Sequence, residues 1–494
     1  MLGHRFKRWL YLTHRWVGIV TCLLFAMWFV SGLVMLYVPF PELKQSEWLA
    51  GQRPIAWSEV KAQAPSAGAG TVALEMQGDA PVWRVSGEGG TASYRASDGR
   101  PIARVGEAEA RRIASLFGRA PAVSSVLIHN DQWSVPGGFN KDRPLWKVSL
   151  AGDAGKVLYV SSRSGAVVLD TDRRERFWNW LGSVPHWLYP RALRELPEAW
   201  RQVVLWVSGP CIIGAVAGLW IGLLRVRPGR HRFSRNRMTP YRGWMKWHHV
   251  AGLLGGVILV TWIFSRWLSV DPGRYFGRGG VSDTARQAYV GNDPLPRVDW
   301  AKLGLLAPDA RRVELTRGAG QAFLRVEAAE SADRDLDPLT LKPFAADPAA
   351  IRARAAGLVP EGQIAAVEVL RSPDAYWYAV DDRVPLPVWR IEFADPARTW
   401  AHIDPLTGEF LGSIDARGRA YRWLYDGLHR WDLGPLLAHP PARQIFIWLF
   451  SLAGIVISIT SVWIGWRRLR RGGRTREKGR ADRAPRPSTF RAPS

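Results

Sequence analysis

Residues 247–265 read WHHVAGLLGGVILVTWIFS. Beyond its two histidines the stretch carries no charge, and with its flank to Val270 it supplies the roughly 20 apolar residues that cross a ~30 Å hydrocarbon core. Working outward, three more stretches reach that length, at 16–38, 200–224 and 445–466, so the third span is placed at 250–270. All four are rich in Gly, Ser, Ala and Trp, the composition of packed membrane helices. Basic residues precede the first, as in a signal peptide. Its apolar run is too long and no A-x-A site follows, so it reads as a retained helix.

The same stretch has a counterpart at 13–31, THRWVGIVTCLLFAMWFVS, displaced by 234 residues. The displacement carries His14 to His248, Gly18 to Gly252, Trp28 to Trp262 and Ser31 to Ser265. A second ungapped register, displaced by 243, carries Trp146 to Trp389, Gly165 to Gly408, Arg176 to Arg419, Trp180 to Trp423, His186 to His429, Ser208 to Ser451 and Trp220 to Trp463. The chain reads as two copies of helix, external domain, helix.

Charge orients these copies. Residues 1–15, 225–247 and 467–494 hold 4, 8 and 11 Lys/Arg against two acids, Glu477 and Asp482. The whole chain has 67 Lys/Arg against 43 Asp/Glu, so 44 bases against 41 acids remain elsewhere, and the formal charge of +24 is almost entirely a feature of three short segments. The positive-inside rule then puts both termini in the cytoplasm and both long segments outside. A nucleic-acid partner loses its support, because topology and contact with anionic lipid headgroups account for the basic surface. The expected organisation is 1–15 cytoplasmic, 16–38 spanning, 39–199 periplasmic, 200–224 spanning, 225–249 a cytoplasmic loop and helix start, 250–270 spanning, 271–444 periplasmic, 445–466 spanning and 467–494 a basic cytoplasmic tail.

Within the external segments, PVWRV (81–85), PLWKV (144–148) and PVWRI (387–391) alternate with the period of a half-buried strand. Turns follow at 97–101 (SDGRP), 162–166 (SRSGA) and 404–408 (DPLTG), and helical stretches precede several strands, as at 106–118 and 347–359. Each external segment is expected to form two small α+β units, with 321–340 the weakest copy. The fold class is therefore a membrane protein, α plus α+β, with a four-helix bundle and two periplasmic α+β domains.

Several chemistries are unsupported. Cys22 and Cys211 are the two cysteines, too few for a disulfide scaffold, an iron–sulfur cluster, a Cys-rich zinc site or CxxCH haem attachment. No Walker-A loop, GxGxxG or HExxH stands out. The cytoplasmic segments are too short to fold a flavin or nicotinamide domain.

The phrases THRWVG (13–18), WHHVAGLLGGVILVTWIFS with LSVDP (268–272), RWLYDGLHRWDLG (422–434) and DPLTGEFLG (404–412) together resemble the PepSY-associated transmembrane family of bacterial inner-membrane proteins. The resemblance runs from about residue 5 to 470. It implies PepSY-like external domains and, in one branch, an iron-regulated ferrisiderophore reductase that binds b-type haem in its four-helix membrane domain. This sequence departs at Arg266, where the family usually has Gly. Lying ~27 Å along the helix from His248, Arg266 is expected near the outer face, either snorkelling or meeting a haem propionate or another anionic ligand.

Topology sorts the ten histidines. His14 and His248 sit at the cytoplasmic ends of spans one and three, with Gly18 and Gly252 one turn on, leaving room for a flat macrocycle or a close helix contact. His186 and His429 lie at the outer surface ahead of spans two and four. One such histidine alone would read as an interfacial residue hydrogen-bonded to lipid or to a helix. Two matched pairs, one per leaflet, favour axial ligation of one or two haem b groups, and the resemblance adds to this. His249 is the alternative to His248, or a propionate contact. His439 lacks a repeat partner (position 196 is Leu) and reads as structural; His4 and His231 read as solvated, His129 and His402 as surface or core residues of the external domains. The 27 Trp are explained mainly by interfacial belts. Arg173, Arg174 and Arg176 are candidates for propionate or headgroup contacts.

The expected function is a haem-dependent oxidoreductase that passes electrons across the membrane to a ferric siderophore or similar chelate, with quinol or a separate cytosolic reductase as donor. The alternative is a non-enzymatic PepSY protein whose external domains bind a peptide, a protease or another partner.

Overall fold

The computed structural model describes residues 3–481 except 67, 69, 88–89, 229–232, 235–236, 278 and 381–383, and for 471–481 the backbone alone. His231 and the tail beyond residue 481 lie outside the described residues. Among the described residues four helices are long and apolar enough to cross a membrane: His4–Met35, Pro197–Arg225, Trp244–Leu268 and Pro440–Arg470. This is a multi-pass membrane protein. The first helix starts well ahead of Trp16, because nothing in HRFKRWLYLTHR breaks a helix where the apolar run begins. The backbone of the fourth continues helically to Ala481.

The four helices close a ring in which the first and third each pack against the second and fourth. The first and third are therefore diagonal, and residues on their inner faces look at one another across the bundle. Small residues permit the close approach. A Cβ on Gly454 would lie 2.2 Å from the Phe29 ring, and one on Gly214 would lie 2.7 Å from Val17.

Outside the bundle the described residues form three antiparallel sheets. β4 (Ala122–Ile128), β5 (Leu145–Leu150), β6 (Val157–Ser161) and β7 (Val167–Thr171) form one meander, and helix Glu107–Gly118 packs Ile113, Ala114 and Phe117 against its Val148, Leu158 and Val160. β11 (Ile364–Leu370), β12 (Val388–Phe393), β13 (Trp400–Ile403) and β14 (Phe410–Ile414) form another with the same order, covered by Ile351, Ala355 and Leu358. The turns joining β6 to β7 and β13 to β14 place Gly165 and Gly408 at φ of +74° and +70°, where a side chain would strain the backbone.

The third sheet corrects the expectation of four separate units. Its order is β10-β9-β8-β1-β2-β3, with β1 (Thr71–Gln77), β2 (Ala80–Gly87) and β3 (Gly90–Arg95) from the first segment. β8 (Arg312–Gly318), β9 (Gln321–Glu327) and β10 (Arg334–Leu336) come from the second. β1 and β8 pair antiparallel, with Val72 opposite Leu315 and Leu74 opposite Val313. Each three-stranded piece alone would expose an edge and half an apolar face. Joining them removes both exposures and buries Val72, Leu74, Trp83, Leu303, Leu315 and Leu324 in one core.

Short elements return the chain from the meanders to the bundle. Asp172 caps helix Arg173–Leu181 by accepting from the Glu175 amide, and a one-turn helix, Ser183–His186, follows. In the second segment Asp415 caps Ala416–Arg422 by accepting from the Gly418 amide, and that helix runs into a π-helical stretch, Trp423–Arg430. These two connections carry His186 onto the first spanning helix and His429 onto the third.

Candidate functional site

The histidines matched in the sequence meet in space. At one end of the bundle the rings of His14 and His248 stand with centroids 6.1 Å apart and planes at 37°. At the other end His186 and His429 stand with centroids 6.1 Å apart and planes at 65°. Ser31, against His186, is 17 residues from His14, and Ser265, against His429, is 17 residues from His248. The two pairs are thus separated by about 25 Å along the helix axes.

Hydrogen bonds fix how each imidazole is presented. His14 Nδ1 lies 3.0 Å from the Gly214 carbonyl oxygen, and His186 Nδ1 lies 3.2 Å from the Trp28 carbonyl oxygen. A carbonyl only accepts, so Nδ1 carries the proton in both rings. His429 Nδ1 lies 2.9 Å from Ser265 Oγ, whose own proton goes to the Trp262 carbonyl. His248 Nδ1 lies 3.1 Å from Thr460 Oγ1, whose proton goes to helix carbonyls. Nδ1 is therefore the donor in all four. The lone pair on Nε2 has no hydrogen-bond partner among the described residues. This is the state of a metal-ligating histidine, with one nitrogen bare and the other tied to a neighbour that sets tautomer and ring orientation.

His249 is presented the other way. Its Nε2 donates to the Gly222 carbonyl at 3.0 Å, its ring sits edge-on to Tyr241, and its Nδ1 is buried without a partner. It lines the same cavity as His248, but His248 is the one opposite His14.

Each pair opens on a cavity. The inner one, about 370 Å3, is lined by Tyr11, His14, Arg15, Gly18, Tyr241, His248, His249, Gly252 and Arg468 among others. A Cβ on Gly18 or Gly252 would meet nothing within 4 Å, so both glycines face open space rather than a helix contact. Gly218 is different: a Cβ there would lie 2.4 Å from His14 Cε1, so its lack of a side chain is what lets the ring stand upright. The outer cavity, about 550 Å3, is lined by Trp28, Gly32, His186, Trp262, Arg266, Tyr425, His429, Arg430 and Arg443 among others. Leu259 lines both, and Phe29 and Trp262, rings 5.9 Å apart, fill the space beside it.

Burial, foremost, holds His186 and His429 well below the ordinary histidine range, and the nearby Arg266 cation adds to it. Both imidazoles are neutral at physiological pH. The indole N–H groups of Trp28 and Trp262 are buried without acceptors.

These residues fit a haem. Centroids about 6 Å apart leave space for a metal atom between the two rings of each pair, so His14 with His248 and His186 with His429 would be the residues to hold a haem iron. Among the described residues no three His, Cys, Asp or Glu gather to hold a bare ion. A donor set of two imidazoles in each pair would suit a metal that arrives in its own macrocycle. Both cavities fall within the ~300–1,000 Å3 of small-molecule sites.

Other residues fall elsewhere. Arg176 donates to Thr171 and to the Gly155 carbonyl in the first meander and does not line the cavity. His402 is buried in the second meander, accepting at Nε2 from Arg390 and stacked on Trp377. His4, His129 and His439 are exposed. The sequence reading missed Arg430, Arg443 and Tyr425 at the outer cavity and Tyr11, Tyr241 and Arg468 at the inner one. It also missed the hydroxyl supports, although the matched Ser31 and Ser265 were the signal for two of them.

Among the described residues, four helices of spanning length, antiparallel sheets outside the bundle and histidines paired across it at both ends define a multi-pass membrane protein. The chain belongs to the PepSY-associated TM region family, whose profile matches residues 11–269, just over half of it. That match takes in His14, His186 and His248; His429 lies beyond it. No curated protein matches the chain.

Proposed function

We propose that this protein is a bacterial inner-membrane b-haem oxidoreductase that transfers electrons across the bilayer to a ferric chelate, a ferrisiderophore or similar complex, on the outer side. The observation that carries the reading is the pairing of His14 with His248 and of His186 with His429, all four with Nδ1 tied back and Nε2 free. A haem in each pair supplies a one-electron iron couple. The chain's own residues hold it, exclude water and set its orientation. Ser31, Ser265, Thr460 and the Gly214 carbonyl fix the imidazoles, and the Trp, Phe and Leu side chains between the cavities keep the interval dry.

Orientation follows from charge: the basic ends on one side, including Arg15, Arg225 and Arg468, are cytoplasmic, and the three sheets are periplasmic. The matched strand order of the two meanders, the paired caps Asp172 and Asp415, and the paired histidines support an internal duplication. A quinol or a separate cytosolic reductase would deliver electrons at the His14/His248 end, and the ferric chelate would accept one per iron at the other. In proteoliposomes, dithionite-reduced protein should be reoxidised by external ferric chelate with stoichiometric Fe(II) formation. A haem-loaded protein that no ferric chelate reoxidises would remove the acceptor from this reading.

One observation favours a second reading, a non-enzymatic partner-binding role. The edge strand β4 exposes Val123, Val126 and Leu127, a surface on which an extended peptide could add a strand. Binding of such a peptide by haem-free protein, unaltered in His186→Ala, would support it.

A further inference from the structure

The outer cavity contains a buried cation without a counter-charge. Arg266 is 7% exposed, donates through Nη2 to the Trp187 carbonyl at 2.9 Å and, weakly, through Nη1 to Ser269 Oγ at 3.4 Å, and leaves Nε buried with no partner. No carboxylate forms an ion pair with it among the described residues. The neighbouring Arg430 and Arg443 spend their charge on Asp426 and Asp432. The exposed Glu42 lines the same cavity but makes no bond to Arg266. His186, His429 and Tyr425, the other titratable groups facing it, provide no anion while neutral. A buried guanidinium without an anionic partner is costly, and its fork suits a planar carboxylate.

We infer that Arg266 holds a carboxylate side chain of the tetrapyrrole bound between His186 and His429, and so fixes which way round that haem sits in the outer cavity. This rests on the haem reading above. The buried, unpaired indole N–H groups of Trp28 and Trp262 on the same cavity fit a ligand that brings acceptors with it. In this role Arg266 is a positioning residue that only one of the two matched helices carries: the position displaced by 234 is Gly32, on the same outer cavity, whose missing side chain makes room for His186.

The test compares haem with haem dimethyl ester, in which both carboxylates are blocked, in His14→Ala protein, where only the outer pair can ligate. Release to an excess of apomyoglobin is followed optically. With Arg266 present, the ester should leave at least about tenfold faster than haem, the value of a lost charge-assisted bond. In Arg266→Gln, haem and ester should leave at the same fast rate, and Arg266→Lys should restore part of the difference. Equal release of haem and ester with Arg266 intact overturns the inference without any variant at 266, as does an undiminished difference in Arg266→Gln. If the His14→Ala protein takes up neither pigment, the haem reading itself falls, and the role of Arg266 falls with it.

Discussion

An imidazole can ligate iron only through a nitrogen that carries no proton, so the tautomer matters as much as the position of the ring. Here Ser31 and Ser265 do equivalent work at the outer pair, each accepting from Nδ1 and passing its own proton to the carbonyl three residues back. Ser31→Ala or Ser265→Ala should weaken outer haem binding about 10- to 100-fold, the usual effect of losing a ligand's supporting hydrogen bond, with the inner haem unchanged; haem titration of the apoprotein checks this. The glycines beneath the rings give a steric counterpart. Gly218→Val should displace His14 and remove the inner haem alone, whereas Gly32→Val, whose Cβ would sit 3.1 Å from His186 Cε1, should remove the outer haem alone. The histidine pairs were legible because two sequence registers match their members. The tautomers were not, since each is set by a carbonyl or hydroxyl on another helix.

At the scale of elements, the meanders were legible from alternation and turn residues, but the joint sheet was not. Pairing of β1 with β8 links residues more than 200 apart, and nothing in either strand names its partner. Leu315, fully buried on β8, contacts the core of both segments. Leu315→Ala should cost about 2–5 kcal/mol and lower the melting of both external segments together in one transition, followed by limited proteolysis on heating. The second meander also has an acid-labile point. Burial first, and then Arg390, lower His402 to about 4 from an unfolded value of 6.5. The folded state refuses a proton that the unfolded state accepts, so stability present above pH 6.5 is lost as pH falls toward 4, on the order of 1 kcal/mol per unit. His402→Gln should flatten that slope in thermal melts between pH 7 and 5.

At the scale of the molecule, the bundle's order explains why the histidine pairs form at all. Helices one and three, diagonal in the bundle, share a cavity at each end, and His14 and His248 come directly from them. His186 and His429 are delivered by the connecting segments Ser183–His186 and Trp423–Arg430. The membrane bundle and its count of helices could be read from apolar runs, and the sidedness proposed here from the basic segments. The cavities could not, because their walls combine side chains from all four helices and both connectors. The central claim is that the four histidines make two separate haem sites. The most direct measurement is the haem-to-protein ratio, with oxidised and dithionite-reduced spectra, of the purified protein beside His14→Ala and His186→Ala. The account expects low-spin b-type spectra with about two haems in the wild type and about one, spectrally different, in each variant. A wild type that stays colourless after incubation with haem, or variants that keep the full complement, would contradict it.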